Sequence, residues 1–210
     1  MILAIESSVP NASLALFDPK SSTVVWTAEF TSQRAHNAVI FEPLKEALDR
    51  CRRKLELIVI GRGPGSYGGV RVGIAVANGL SLALGAPVVG LSSLEAIDTE
   101  ATDYAVIGDA RRQSWFVARI ISGVLSAEPE LVTQQGLVDD LTLLSQQEIP
   151  VFTSDPVVAD AFESVTLAQP VAERLARRAA VLSAEDIARR AVEPLEPHYL
   201  RAPYITMPKA

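Results

Sequence analysis

The chain has 210 residues, of which 49% are hydrophobic and 21% are charged, which is the balance of an ordinary globular protein. This length is enough for one large domain or for two small lobes with real cores. The net charge of −6 argues against this chain alone binding the phosphate backbone of a nucleic acid, because such binding needs a concentrated basic face. Any nucleic acid is therefore expected to be bound through a partner protein.

Cysteine content and hydropathy predict a cytoplasmic protein without a membrane span. Cys51 is the only cysteine, so an intramolecular disulfide and a cysteine metal cluster are excluded, which fits a reducing compartment. Residues 1–5 lack the basic start and the length of a signal peptide, so the chain is expected to begin directly with structure. Residues 72–94 carry no charge, but Gly85 and Pro87 interrupt them, which predicts a buried helix followed by a buried strand.

The first half of the chain predicts three strands followed by alternating helices and strands. The strands are predicted at residues 1–5, 13–17, 23–30, 57–60 and 87–91, and the helices at 37–52 and 70–84. Pro43 should kink or restart the first helix, and Gly85 should end the second. Ser92 and Glu95 form a capping-box pair that predicts a further short helix.

The second half predicts the same order of elements. The strands are predicted at residues 104–108, 114–121, 130–133, 151–153 and 164–167, and the helices at 137–145, 156–162 and 171–191. This repetition predicts two similar lobes that face a cleft, over residues 1–101 and 102–193, with an irregular tail at 194–210. The arginines on the last helix are interpreted as a solvated face: Arg174, Arg177, Arg178, Arg189 and Arg190.

A glycine loop joins the predicted strand 57–60 to the helix that follows it. Its five glycines are Gly61, Gly63, Gly65, Gly68 and Gly69. Because glycine has no Cβ, such a loop predicts close approach of another backbone or of a ligand. The literal G-x-G-x-x-G lacks the acidic residue about 20 positions on that a dinucleotide site needs, and no Walker lysine follows.

The sequence gives little support for a nucleophilic serine or for a histidine metal site. Ser66 lies between strand and helix, but Pro64 breaks the G-x-S-x-G elbow, so Ser66 is interpreted as a helix cap. His36 and His198 are too far apart in the sequence to form a local metal site.

Two carboxylates have equivalent places in the two predicted lobes. Glu6 and Asp109 each close the first strand of a lobe, so both are expected at the cleft. They would then hold hydrated Mg²⁺ beside a nucleotide, or they serve in ordinary turns, and the sequence leaves both open.

The helix after the glycine loop has a stripe of small residues at i, i+4 and i+8. Ala75, Gly79 and Ala83 form this stripe, which would let a second helix approach closely.

With these residues laid out, the chain resembles the TsaB (YeaZ) family. The resemblance lies in three segments: Met1-Ile-Leu-Ala-Ile-Glu6-Ser7, Gly61-Arg-Gly-Pro-Gly-Ser66-Tyr67 with Gly69-Val-Arg71-Val-Gly73-Ile74, and the tail Glu196-Pro-His-Tyr199-Leu200-Arg201. It implies an α/β protein of the actin-like, Hsp70-like ATPase (ASKHA) fold, with a mixed sheet flanked by helices in each lobe. It also implies a role in making N6-threonylcarbamoyladenosine at position 37 of tRNAs that read codons beginning with A.

The resemblance further implies a noncatalytic subunit that dimerises with TsaD, with TsaE joining the assembly and tRNA met only through the complex. Where TsaD has the metal-binding H-x-x-x-H, this chain has Ser93 and Ile97, which cannot replace histidine. No cofactor is expected on this chain, and ATP or ADP with Mg²⁺ would belong to the complex. A homodimer is a further option, and an independent ATP-dependent phosphotransferase that uses Glu6 and Asp109 is the alternative function.

The partner-binding face implied by the resemblance combines two helices. Its candidate residues are the small stripe together with four residues of the helix predicted at 37–52: Val39, Ile40, Leu44, Leu48, Ala75, Gly79 and Ala83.

Overall fold

The computed structural model describes residues 1–31 and 37–200, which form two β-sheets flanked by helices. The first sheet contains β1 (Ile2–Glu6), β2 (Asn11–Asp18), β3 (Thr23–Thr31), β4 (Leu57–Gly61) and β5 (Val88–Leu91). The second contains β6 (Tyr104–Asp109), β7 (Trp115–Ile121), β8 (Val124–Leu125), β9 (Glu130–Val132), β10 (Val151–Thr153) and β11 (Val165–Leu167). The helices are α1 (Phe41–Arg50), α2 (Tyr67–Leu84), α3 (Gln134–Gln146), α4 (Pro156–Ala161), α5 (Ala172–Ala180) and α6 (Ala184–Ala191), with 3₁₀ helices at Asn37–Ile40 and Ser93–Ala96.

The two sheets have the same topology, which confirms the predicted fold class. The strand orders are β3-β2-β1-β4-β5 and β11-β10-β6-β7-β8, with β9 also paired to β7. In both sheets the first strand pairs antiparallel with the second: β1 with β2, and β6 with β7. The first strand also pairs parallel with a later strand, β4 or β10, which in turn pairs parallel with the last strand, β5 or β11. Each parallel connection includes a helix, as such crossovers require.

Different helices cover the two faces of the first sheet. Along β1, Leu3 and Ile5 belong to the core under α1 and α2, whereas Ile2 and Ala4 belong to the core under α5. This alternation follows from the two-residue period of a strand, and both faces are buried because helices lie on both. In the second sheet, one face packs on α3 and α4, and the other packs on Leu94 of the 3₁₀ helix Ser93–Ala96 and on Ile97.

Two helix boundaries differ from the predicted ones because serine caps act locally. The helix predicted at 70–84 begins earlier, at Tyr67, since Ser66 Oγ accepts a hydrogen bond from Gly69 N at 3.3 Å. The single helix predicted at 171–191 is two helices, α5 and α6, because Ser183 caps α6 by accepting from Asp186 N at 3.0 Å. Gly85 ends α2 with a φ of 69°, as predicted.

The helix predicted at 37–52 divides at its proline region. The 3₁₀ helix Asn37–Ile40 passes into α1 at Phe41, and Pro43 lies in the first turn of α1, where no backbone N–H needs an intrahelical partner. The restart predicted from Pro43 is therefore confirmed, slightly upstream of the proline.

The last two helices lie beside the first sheet, although the predicted lobes assign them to the second. Ala172, Leu175 and Ala176 are fully buried in the core that contains Ile2 and Ala4. Ser13 Oγ on β2 also accepts a hydrogen bond from Ala172 N at 2.9 Å, across 159 residues of sequence. The boundary after residue 101 stays a prediction, but the contacts of α5 belong to the first sheet.

The capping box predicted for Ser92 and Glu95 is wrong in its second half. Ser92 Oγ accepts from Leu94 N at 3.3 Å, as a cap should. The carboxylate of Glu95 does not return to Ser92, because Oε1 accepts instead from Leu125 N of the second sheet at 3.2 Å. A long-range contact has replaced the local one.

Candidate functional site

The glycine loop is packed against the β1–β2 turn rather than shaped around an open space. Ser66 N donates to Ser8 O at 2.6 Å, and Ser7 Oγ donates to Gly69 O at 2.9 Å. A Cβ at Gly65 would clash with Ser8 O, and one at Gly69 would clash with Ser7 O. The glycines predicted close approach of another backbone or of a ligand, and the structure shows the approach of another backbone.

The other side of the loop is joined to the 3₁₀ helix Ser93–Ala96. Ser93 Oγ accepts from Gly63 N at 3.0 Å, and Ser93 N donates to Gly63 O at 2.9 Å. Gly63 has a φ of 85°, which favours glycine at this position. Gly68 differs from these glycines, because a Cβ there would meet no atom within 4 Å. Ser66 caps α2, in agreement with its interpretation as a helix cap.

Glu6 is fully buried behind this loop. Its Oε1 accepts from Ser8 N at 2.7 Å, whereas Oε2 has no hydrogen-bond partner among the described residues. A Cβ at Gly61 would clash with Oε2, so this glycine makes room for the carboxylate. Burial raises the pKa of the Glu6 carboxyl, and its hydrogen bonds only partly oppose this.

Asp109 lies elsewhere, at an open cleft of about 960 Å³ between the two sheets. Its Oδ1 accepts from Arg111 N at 2.7 Å, which is ordinary turn chemistry. Since Glu6 is buried and does not line this cleft, the expected convergence of Glu6 and Asp109 is wrong. The β1–β2 turn, which would have to open toward a phosphate, is held by the glycine loop instead.

Helix α2 presents an apolar surface to solvent. By length and composition its 18 residues could cross a membrane, but the same is true of core helices. Its buried residues are Val70, Gly73, Ile74 and Ala77. The small stripe of Ala75, Gly79 and Ala83 is exposed, beside Leu82 with an exposed fraction of 90%.

The residues of the helix predicted at 37–52 that were expected to share this face do not all lie on the surface. Ile40 and Leu44 are buried in the core of the first sheet, and Leu48 packs against the same core. The prediction that these residues bind a partner is therefore wrong for Ile40 and Leu44. They are buried because the apolar stripe of an amphipathic helix packs on the sheet beneath it. Val39 is partly exposed.

Ser93 and Ile97, which stand where the resemblance implies metal ligands in TsaD, are internal. Ser93 is buried and binds Gly63, and Ile97 is buried in the core of the second sheet. Within residues 1–31 and 37–200, no three His, Cys, Asp or Glu side chains are grouped to hold a metal ion. His36 lies outside the described residues.

An assembly of aromatic rings and an arginine, which no sequence pattern predicted, lies at the start of α2. The guanidinium of Arg71 lies 4.1 Å from the ring centroid of Tyr67, and it donates from Nε and Nη2 to Tyr199 Oη at 3.0 and 2.9 Å. His198 N donates to Arg62 O at 2.8 Å, so the tail is attached to the glycine loop. In the sequence, the signal that could have revealed this assembly was the tail segment that carries the family resemblance.

Comparisons with known proteins bear on the family of this chain. The family model of TsaD, tRNA N6-adenosine threonylcarbamoyltransferase, matches residues 30–134. The tRNA threonylcarbamoyladenosine biosynthesis protein TsaB of Bacillus subtilis is 31% identical over 163 residues, which cover 71% of this chain and 68% of that protein. The chain belongs to the TsaB (YeaZ) family.

Further comparisons fix the fold and the extent of the likeness. The structure of YeaZ from Pseudomonas aeruginosa superposes with a TM-score of 0.67 at 22% identity, covering 95% of this chain and 99% of that one. An uncharacterized Mycobacterium leprae protein is 46% identical over 77 residues, which is 36% of this TsaB-family chain and 21% of the relative. The chain therefore spans about a fifth of that relative's length.

The contact between the glycine loop and the β1–β2 turn predicts unequal effects of two alanine substitutions in α2. Gly69→Ala should lower the free energy of unfolding by about 2 kcal/mol, because the new methyl group overlaps the Ser7 carbonyl. Gly79→Ala is the matched control, since its Cβ meets no atom within 4 Å, and it should raise stability by about 1 kcal/mol. Urea unfolding followed by circular dichroism measures both. Equal effects of the two would contradict the packing role of the loop.

The buried Glu6 predicts a pH dependence of a definite sign. Because the folded state holds the Glu6 proton more tightly than the unfolded chain, this group makes the free energy of unfolding fall as the pH rises from its ordinary pKa of 4.5 through the higher folded pKa. Glu6→Gln should therefore remove this decrease. Compared with wild type, the variant should gain more stability at pH 7 than at pH 4. Urea titrations over that range, with Glu42→Gln on exposed α1 as control, measure the difference. Parallel profiles for wild type and Glu6→Gln would refute the assignment.

Proposed function

We propose that this chain is a noncatalytic subunit in the formation of N6-threonylcarbamoyladenosine at position 37 of tRNAs that read codons beginning with A. In this proposal it pairs with a TsaD-like catalytic subunit through the exposed face of α2. A TsaE-like ATPase joins the assembly, and tRNA is met through the complex. Family membership supports the pathway, and the surface of α2 supports the mode of action.

The exposed apolar face of α2 carries this proposal. Ala75, Gly79 and Ala83 leave the helix backbone close to the surface, so a partner helix can approach closely. Leu82 adds a large side chain that is almost fully exposed. A contiguous apolar surface of this kind is typical of an interaction site.

A protein partner fits this face better than a lipid bilayer. Helix α2 connects the parallel strands β4 and β5, and Val70, Ile74 and Ala77 hold it on the sheet. To cross a bilayer the helix would have to leave that sheet and expose the core beneath it. A partner helix can be bound without such a change.

The noncatalytic assignment is supported by what occupies the position of the metal ligands. Ser93 uses its hydroxyl to hold the glycine loop, and Ile97 is an apolar core residue. Neither side chain is a ligand for iron or zinc. In the proposed complex, the chemistry is therefore left to the TsaD-like subunit.

Substitutions on the exposed face should abolish pairing without unfolding the chain. Leu82→Asp and Gly79→Leu should each weaken binding of a TsaD-like subunit at least about tenfold, because one buries a charge and the other separates the two helices. Val157→Asp is the matched control, since Val157 is 74% exposed on α4 of the second lobe. Size-exclusion chromatography and calorimetry with the co-expressed partner measure the effect. Unchanged binding by both α2 variants, with their circular dichroism intact, would exclude this face.

The cleft between the sheets favours a second candidate, an ATP-dependent phosphotransferase. Its volume of about 960 Å³ suffices for a nucleotide, and Asp109 lines it. This candidate predicts ATP hydrolysis by the isolated chain that is lost in Asp109→Asn but kept in Asp139→Asn, an exposed aspartate on α3. No turnover, or turnover that Asp109→Asn leaves unchanged, would reject it and leave the scaffold role.

A further inference from the structure

Three arginines from separate parts of the chain act by charge on one carboxylate, in the region where α5 packs on the 3₁₀ helix Ser93–Ala96 and α6 packs on β5. The carboxylate is Glu95, whose side chain is 10% exposed, and the arginines are Arg62, Arg178 and Arg190. Arg62 follows β4, and the other two lie on α5 and α6. This group of four residues is called the arginine cluster below. It was not foreseen, because the arginines of α5 and α6 were interpreted as a solvated face.

Glu95 holds the cluster at its centre. Its Oε1 accepts from Leu125 N at 3.2 Å, and its Oε2 lies 3.9 Å from Arg178 Nε. All three arginines act on the Glu95 carboxylate by charge, although burial is the larger influence and raises its pKa. Glu95 thus attracts all three guanidinium groups but fully neutralises none of them.

Backbone packing fixes the positions of two arginine side chains. A Cβ at Gly90 on β5 would clash with Arg62 Cδ, so the absence of a side chain there makes room for the Arg62 stem. Gly123, in the turn between β7 and β8, lies against the Arg178 side chain, with Arg178 Cδ 3.6 Å from the position of a Cβ. Both stems therefore pack against backbone, which limits their freedom before any ligand arrives and lowers the entropic cost of binding.

The cluster has uncompensated charge and unused donors. Three guanidinium charges face one carboxylate, which leaves two positive charges without a counterpart in the cluster. Arg62, Arg178 and Arg190 each have a buried Nε with no hydrogen-bond partner among the described residues. Asp186 is also near Arg190, but its carboxylate oxygens accept from Ser183 and Arg189. Buried donors of this kind in a native structure call for an ion or a water.

The geometry points to an oxyanion site in the arginine cluster that takes a phosphate dianion, either inorganic phosphate or the terminal phosphate of a small monoester. A phosphate group has several acceptor oxygens and carries about −1.5 to −2 charges near neutral pH, and its dianion matches the two uncompensated positive charges. Guanidinium groups bind such oxygens through paired N–H donors, including Nε. An internal phosphodiester carries one negative charge and fits this balance less well.

The experiment measures anion binding by the full chain at constant ionic strength, with chloride replaced by phosphate. Inorganic phosphate and adenosine monophosphate should both raise the melting temperature and bind in calorimetry, whereas a hydroxyl-ended RNA oligonucleotide should do so far less. Arg62→Gln and Arg178→Gln should each weaken phosphate binding about tenfold or more, since each removes a charged donor pair. Glu95→Gln should tighten it about fivefold, because it removes the one opposing charge.

Neighbouring arginines on the same helices provide matched controls. Arg177, which pairs with Glu173, and Arg189, which pairs with Asp186, lie outside the cluster. Arg177→Gln and Arg189→Gln should leave phosphate binding unchanged. The assignment is overturned if wild type does not respond to phosphate, if the controls lose as much affinity as the cluster variants, or if hydroxyl-ended RNA binds more tightly than phosphate. None of these readouts depends on pairing with a TsaD-like subunit.

Discussion

The contact between the β1–β2 turn and the glycine loop is the constraint on which the first lobe depends. The carbonyl oxygens of Ser7 and Ser8 lie where side chains of residues 69 and 65 would be, and hydrogen bonds in both directions join the two segments. This contact brings β1, β4 and the start of α2 into one rigid unit. It also fixes which side of α2 faces the sheet and which side remains exposed. The same turn cannot be both part of this contact and an open phosphate loop.

That constraint removes the β1–β2 turn as a candidate phosphate loop. Glu6 is buried behind the loop, and one of its oxygens has no hydrogen-bond partner within residues 1–31 and 37–200, so it belongs to the interior and not to the cleft. The cleft keeps Asp109 and an accessible volume, but the two carboxylates no longer face each other. The exposed surface of α2 is helical and apolar, which is why we propose docking as the role of this chain.

Much of the fold could be predicted because strand and helix periods, caps and glycines are local signals. The repeated order of elements, the Ser66 cap and the Gly85 stop all reflect forces within a few residues of sequence. The failures occurred where tertiary contacts replaced local ones. Glu95 has the spacing of a capping box but binds across to the second sheet, and Ile40 and Leu44 face their own core. Periodicity identifies an apolar stripe, but it does not say what covers that stripe. The arginine cluster was missed for a related reason, since its members meet only in three dimensions.

The hydrogen bond from Ala172 N to Ser13 Oγ has a consequence for how the chain is made. Helix α5 covers the face of the first sheet that contains Ile2, Ala4 and Phe17, and its Ala172 follows Ser13 by 159 residues, so it leaves the ribosome well after the strands of that sheet. Until α5 is made, the nascent first sheet lacks the helix that covers this apolar face. Completion of the first core therefore depends on a segment that follows the second sheet in the chain.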